Sequence, residues 1–162
     1  MNMEKKMKRM TNLGFSEMNT RRRQSLVANP LACTGCRTCE TACSLAKTGQ
    51  VFLERARLHI DRDPFEGKFA PNICHQCSIP YCMNACPVDA IGIFEKNGVV
   101  VIDEESCIGC GSCQKACPYG MIIFEEEKKK SFKCDLCGGR PLCAKMCPMH
   151  ALGVALWGGK EL

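Results

Sequence analysis

The sequence predicts an α+β protein in which short hairpins and short helices are strung on a fourfold internal repeat. Three observations lead there. Sixteen of the 162 residues are cysteine, at the roughly 8–10% level that marks a short chain built on sulfur chemistry. Without cysteine, the 46% apolar content falls to about 36%, below the usual roughly 45–50%, so an apolar core of ordinary size is not expected. The cysteines also fall into four quartets with none left over, a repeat visible before any secondary structure is assigned.

The quartets run in order. The first is Cys33, Cys36, Cys39 and Cys43, spaced x2, x2, x3. The second is Cys74, Cys77, Cys82 and Cys86, with x4 in the middle and Pro87 after it. The third is Cys107, Cys110, Cys113 and Cys117, followed by Pro118. The fourth is Cys134, Cys137, Cys143 and Cys147, with x5 in the middle and Pro148 after it. Ser44 stands where the first quartet would have its proline.

Between the quartets the elements are short. Phe52 to Asp63 alternates enough for a strand. Ile91 to Glu95 and Val99 to Asp103 flank the turn residues Lys96-Asn97-Gly98 and read as a hairpin. Ile122 to Phe124 is a further strand, ending at the charge run Glu125 to Lys130, a solvated turn with weak local ion pairs. Met83-Asn84-Ala85 and Gln114-Lys115-Ala116 start short helices that depend on packing. Met3, Met7 and Met10 share one helical face, with Lys5, Lys6, Lys8 and Arg9 between them. That segment reads as a basic docking or self-association arm, since methionine faces adapt to varied surfaces.

No apolar stretch reaches the roughly 20 residues of a membrane span. Thr20-Arg21-Arg22-Arg23-Gln24-Ser25-Leu26 resembles a twin-arginine signal, but Asn29-Pro30 and Cys33 leave no room for its apolar region. A cytoplasmic protein with reduced thiols is the expectation.

Three chemistries use cysteine at this density. A disulfide framework fits secreted scaffolds, and neighbouring Cys-x2-Cys pairs close very small loops. Zinc takes two Cys-x2–4-Cys knuckles set apart by a longer spacer, whereas here three cysteines crowd into seven to ten residues. The spacing Cys-x2-Cys-x2-Cys-x3-Cys-Pro is that of a 4Fe-4S cubane, the first three thiolates holding one cluster and the fourth reaching its neighbour. The third quartet follows it without departure. Gly35, Gly109 and Gly111 lie between ligands, where the chain curls tightly.

Charge supports this reading. Residues 1–32 carry seven Lys/Arg and two Asp/Glu, and the remainder is balanced, giving +5 in all. Sixteen thiolates and four cubes of core charge +2 bring the loaded chain to about −3. A negative body with a basic arm argues against nucleic-acid binding.

The quartets, in this order and spacing, resemble the four-cluster ferredoxin-like electron-transfer subunits of anaerobic oxidoreductases, over about residues 31–156. The phrases Cys33-Thr34-Gly35-Cys36-Arg37-Thr38-Cys39-Glu40 and Lys133-Cys134-Asp135-Leu136-Cys137-Gly138-Gly139 look most like the small subunits of tungsten aldehyde oxidoreductases. Subunits of molybdopterin reductases and nickel–iron hydrogenases are the next resemblance. What this implies is two interleaved ferredoxin-like units, each holding two of four 4Fe-4S clusters, with no catalytic residue. Cys74, Cys77, Cys82 and Cys117 would hold one cube and Cys107, Cys110, Cys113 and Cys86 the next. Cys33, Cys36, Cys39 and Cys147 would form a third set, and Cys134, Cys137, Cys143 and Cys43 the fourth. Spacing alone also allows a tandem exchange, first quartet with second and third with fourth; the hairpin from Ile91 to Asp103 favours the contiguous middle unit without deciding between them. The implied division is an arm (1–32), an outer unit (33–66 with 127–156), an inner unit (67–126) and a tail (157–162). The implied partner is a tungsten or molybdenum pterin enzyme, with a flavin- or NAD-linked subunit or a ferredoxin at the other end. A free polyferredoxin shuttle and a zinc-stabilised module are the alternatives.

The remaining candidates read plainly. His75, between Cys74 and Cys77, is either a solvated loop residue or a donor to a cluster sulfur. His59 and His150 read as surface or packing residues, Tyr81, Tyr119 and Trp157 as packing, and Asp89 and Asp103 as turn or cap residues. No dinucleotide loop, Walker loop, Ser–His–Asp set or H-E-x-x-H appears.

Overall fold

The computed structural model describes residues 23–63, 65–94 and 97–157. The methionine face at Met3, Met7 and Met10 lies outside the described residues. Among the described residues, four two-stranded antiparallel sheets and four α-helices make up the body. In chain order the elements are β1 (Arg23–Ala28), α1 (Thr38–Thr48), β2 (His59–Asp63), β3 (Lys68–Asn72), α2 (Tyr81–Asn84), β4 (Ile91–Phe94), β5 (Val99–Ile102), α3 (Ser112–Ala116), β6 (Ile123–Glu125), β7 (Lys130–Phe132), α4 (Leu142–Lys145) and β8 (Leu152–Trp157).

The central hairpin forms as its sequence predicts. Ile91, Ile93, Val99, Val100, Val101 and Ile102 are β-branched and suit a pleated, half-buried surface, and Ile91 pairs with Ile102 and Phe94 with Val99. Two further hairpins, β2–β3 and β6–β7, straddle the unit boundaries drawn at residues 66/67 and 126/127. The charge run forms the β6–β7 turn over residues 126–129. Its ion pairs are not only local: Arg55 reaches Glu125 and Glu127, both at 3.3 Å. Of the strand expected over Phe52 to Asp63, only its second half forms, after a 3-10 turn at Leu53–Arg55.

β1 pairs along its full length with β8, from Arg23 opposite Trp157 to Ala28 opposite Leu152. The sequence-drawn arm thus gives its last ten residues to the folded body, and the tail gives up Trp157. β1 also touches the inner unit. The Gln24 amide donates to the Asn97 carbonyl (3.1 Å), and the Arg23 guanidinium donates to the carbonyls of Cys77 (3.3 Å) and Ser78 (3.0 Å).

α1 explains the missing proline of the first quartet. It runs through Cys43 and Ser44 to Thr48, and Gly49 ends it at φ 73° with its amide on the Leu45 carbonyl. A proline at 44 would remove an intrahelical bond. Ser44 instead donates to the Gln50 carbonyl (2.9 Å) and accepts from the Phe52 amide (2.7 Å), tying the helix to the chain that follows.

The interior is shared between hydrocarbon and sulfur. Leu26, Leu58, Ile60, Ile73, Leu136 and Leu152 pack among Cys39, Cys43, Cys74, Cys134, Cys143 and Cys147. A smaller cluster sets Ile91, Val100 and Ile122 around Cys82 and Cys113.

Candidate metal centres

Each quartet repeats one backbone course. The residue before the second cysteine is left-handed in all four: Gly35 (φ 69°), Gln76 (φ 49°), Gly109 (φ 69°) and Leu136 (φ 52°). Such a residue reverses the chain, so that both cysteines of a Cys-x2-Cys pair face one side. The third cysteine is the second residue of a helix every time, Cys39 in α1, Cys82 in α2, Cys113 in α3 and Cys143 in α4. After the fourth cysteine, the Cys-Pro turn places a left-handed residue at Asp89 (φ 52°), Gly120 (φ 63°) or His150 (φ 50°). The next amide then returns to the sulfur. Ala90, Met121 and Ala151 donate to Cys86, Cys117 and Cys147 Sγ at 3.3, 3.4 and 3.3 Å. Cys43, inside α1, receives its N–H from Arg57 instead (3.3 Å).

The cysteines gather across quartets. Cys147 lines one cavity with Cys33, Cys36 and Cys39, about 320 Å³ including its open mouth. Cys86 lines another with Cys107, Cys110 and Cys113, about 290 Å³. Cys77 lies within electrostatic reach of Cys74 and Cys117, and Cys82 of the same two. Cys143 lies within reach of Cys134, Cys43 and Cys137. Cys134 and Cys74 are also neighbours, which joins these last two groups at one junction.

Burial governs the thiols. It pushes Cys39 and Cys82 up to about 11, and Cys134 and Cys143 up to about 12, with neighbouring sulfurs adding to it. Near neutral pH such groups are almost wholly protonated, and the positive charge of a metal core would favour their ionisation. Cys36 and Cys110 are exposed and move the other way. The Thr38 hydroxyl 3.5 Å from Cys36 Sγ, and the Ser112 hydroxyl 3.4 Å from Cys110 Sγ, favour the thiolate. Among the described residues, no three His, Cys, Asp or Glu side chains converge on one ion position. A tetrahedral zinc with Zn–S near 2.3 Å would draw its sulfurs to about 3.8 Å of one another. The thiols of the first and third quartets stand around a cavity instead, and backbone amides donate to Cys86, Cys117 and Cys147 Sγ. That donor set fits a cubane.

Some charged side chains close to the sulfurs were not signalled by any motif. Glu40, 1% exposed, accepts from the Ile60 amide (3.2 Å) and pairs with Arg37 beside Cys39. Asp135 pairs with Lys47 (2.7 Å) and Arg57 (3.3 Å), and accepts from the Cys137 amide (3.0 Å). Burial alone would raise the Asp135 carboxyl, but Lys47 first and then Arg57 outweigh it and hold it below its ordinary value. His75 packs on Tyr119, ring centroids 4.1 Å apart. Asp103 caps the turn after β5, accepting from the Glu105 amide (3.2 Å) and the Ser106 hydroxyl (2.6 Å). His59 lies 3.7 Å from Glu40, and His150 is an exposed turn residue.

Residues 65–155 match the family described as the 4Fe-4S dicluster domain, and residues 30–49 match a 4Fe-4S binding domain. The chain belongs to the 4Fe-4S dicluster family. This dicluster protein is 41% identical over 122 residues to the polyferredoxin-like subunit of an aliphatic sulfonate oxidoreductase from Pyrococcus furiosus, the match covering 75% of this chain and 70% of that one. It is 38% identical over 138 residues to one subunit of the anaerobic dimethyl sulfoxide reductase of Escherichia coli, covering 74% and 67%. In structure it is similar to a component of the BamBC active-site complex of benzoyl coenzyme A reductase, at TM-score 0.52 and 27% identity, covering 84% and 81%. It is thus a ferredoxin-like, non-catalytic electron-transfer protein. No helix among the described residues is long and apolar enough to cross a membrane.

Proposed function

We propose that the chain is the wire subunit of an anaerobic oxidoreductase complex, carrying single electrons through four 4Fe-4S clusters. The ligand sets are Cys33, Cys36, Cys39 with Cys147; Cys134, Cys137, Cys143 with Cys43; Cys74, Cys77, Cys82 with Cys117; and Cys107, Cys110, Cys113 with Cys86. The observation that carries this is the exchange itself: Cys147 lines the cavity of the first quartet, and Cys86 that of the third. A tandem exchange would instead bring Cys86 to the first quartet's cavity and Cys147 to the third's. The order along the wire follows from exposure. Cys36 and Cys110 are exposed and belong to the two end sets, while Cys134 and Cys74 meet in the middle.

The chain's own residues do the rest. Amides on the fourth cysteines stabilise sulfur charge, as hydrogen bonds to cluster sulfurs do, and four thiolates per cluster leave no iron open to substrate. Relatives named for a sulfonate, a sulfoxide and an aromatic thioester enzyme support a shared wire serving different catalytic partners. They favour a molybdopterin reductase or another anaerobic oxidoreductase as partner over the tungsten aldehyde oxidoreductase that the sequence phrases resemble. A flavin- or NAD-linked subunit or a ferredoxin takes the far end. A reducing compartment is the setting that keeps such thiols available to iron.

The test is the double variant Cys86→Ser with Cys110→Ser. Both residues serve one cluster in the nested arrangement, so iron falls from about sixteen to about twelve atoms per chain. A fall to about eight would overturn the ligand sets, because the two residues would then belong to different clusters.

A further inference from the structure

Lys133 is 4% exposed, and no carboxylate among the described residues pairs with it. Its ammonium donates to the carbonyl of Val100, to the carbonyl of Cys134 (3.2 Å) and to Gln76 Oε1 (3.4 Å). Three acceptors around one nitrogen match the three N–H donors of an ammonium. An unpaired buried cation is costly, and its carbonyl partners carry no net charge to offset it.

Gln76 holds that cation in place. It is 2% exposed and left-handed, with no glycine to ease the strain. Its Nε2 donates to the Cys134 carbonyl (2.8 Å), and its Oε1 accepts from the Val100 amide (2.8 Å). One side chain thus spans the Cys74–Cys77 loop, β5 and the Cys134–Cys137 loop. The charge of Lys133 reaches Cys77, Cys82 and Cys134, favouring the ionised sulfur at each. These belong to the two middle ligand sets.

We infer that Lys133, locked by Gln76, is a positioning residue that raises the reduction potentials of the two clusters at the junction between the inner and outer units. The inference rests on the cluster assignment proposed above. Each reduction adds one electron, and one negative charge, to a junction cluster, while a one-electron donor at the wire's end is oxidised by one. Lys133 keeps its charge throughout, and no proton moves. A fixed buried cation stabilises the added charge more than the oxidised state, which biases electrons toward the middle of the wire.

The experiment is an EPR-monitored redox titration of the anoxically purified, fully loaded chain, wild type against Lys133→Met, Lys133→Arg and Gln76→Glu. Lys133→Met is expected to lower the reduction equilibrium of the junction couples at least tenfold, a downward shift of about 59 mV for one electron, with the other couples unmoved. Lys133→Arg keeps the charge and restores most of the potential. Gln76→Glu leaves Lys133 in place but sets a carboxylate against it, and lowers the same couples. Fully loaded Lys133→Met with every couple unshifted overturns the proposal. Should that variant lose iron, Gln76→Glu decides, and unshifted couples there overturn it equally. The iron content of the Cys86→Ser, Cys110→Ser variant judges the cluster assignment, and the potentials judge Lys133, so the two fail separately.

Discussion

Replacing Gly109 by alanine asks whether the tight loops are shaped by their metal sites or by the neighbouring chain. The residue sits at φ +69°, and a Cβ there would lie 2.0 Å from the Lys129 carbonyl oxygen and 2.8 Å from its carbon. Lys129 belongs to the β6–β7 turn, and the next residue, Lys130, donates to the Cys107 carbonyl. The substitution therefore pries that turn off the Cys107–Cys113 loop. Gly111, at φ +70°, has nothing within 4 Å of its Cβ position, so Gly111→Ala carries only the left-handed cost of about 1–2 kcal/mol. Gly109→Ala carries that plus overpacking against backbone, about 1–3 kcal/mol more. At Gly35 the Cβ would meet the Phe69 ring at 2.3 Å, and a half-buried side chain yields more easily than a carbonyl. The assay is the rate at which visible absorbance bleaches in anoxic denaturant. Gly111→Ala should accelerate bleaching about 5- to 30-fold, Gly109→Ala by at least a further fivefold, and Gly35→Ala between them. Equal rates for Gly109→Ala and Gly111→Ala would refute the reasoning, because the Lys129 contact would then count for nothing.

Ser44→Pro, which would give the first quartet the proline of the other three, should destabilise the protein by about 3 kcal/mol or more by breaking α1; unchanged helical circular dichroism and iron content would contradict this. Glu40→Gln removes a buried negative charge beside Cys39 and should raise the potential of the neighbouring end couple, opposite in sign to Lys133→Met. It should also cost about 1.5–3 kcal/mol in a lost charge-assisted hydrogen bond, and a lowered potential in the same titration would refute the assigned sign. Stripping iron with a chelator and then reconstituting should go faster as pH rises from 7 to 9. Burial holds Cys134 and Cys143 at about 12, so the thiolates that iron needs grow about tenfold per pH unit across that range. A rate independent of pH would refute it.

The quartets and the β4–β5 hairpin were legible because each is a local signal, a fixed spacing or an alternation of β-branched residues. The pairing of β1 with β8 was not, because Arg23–Ala28 and Leu152–Trp157 are joined only through long-range contact, and neither shows a clean period of two. α1 was hidden because Cys39 and Cys43 were read as ligands, although its glycine stop at Gly49 was in plain view. Strain hid the rest. Gln76 and Leu136 take the backbone conformation that Gly35 and Gly109 take, but neither residue type announces it. The shared positions of Asp89, Gly120 and His150 did carry a signal: each is a residue that tolerates positive φ, three residues after a repeat's last cysteine. Gly35 and Gly109 do lie where the chain curls tightly, both at positive φ, and the atoms nearest their missing Cβ belong to Phe69 and Lys129.

The seating of Cys147 against Cys33, Cys36 and Cys39, with β1 laid on β8, has a consequence for biogenesis. A ribosome releases the first three sulfurs long before the fourth, at roughly 5–20 residues per second a wait on the order of ten seconds. The stretch from Cys74 to Cys117 emerges complete in the meantime. With the ligand sets proposed above, the inner pair can be completed first, while Cys33, Cys36 and Cys39 wait for Cys147 and the strand that follows it.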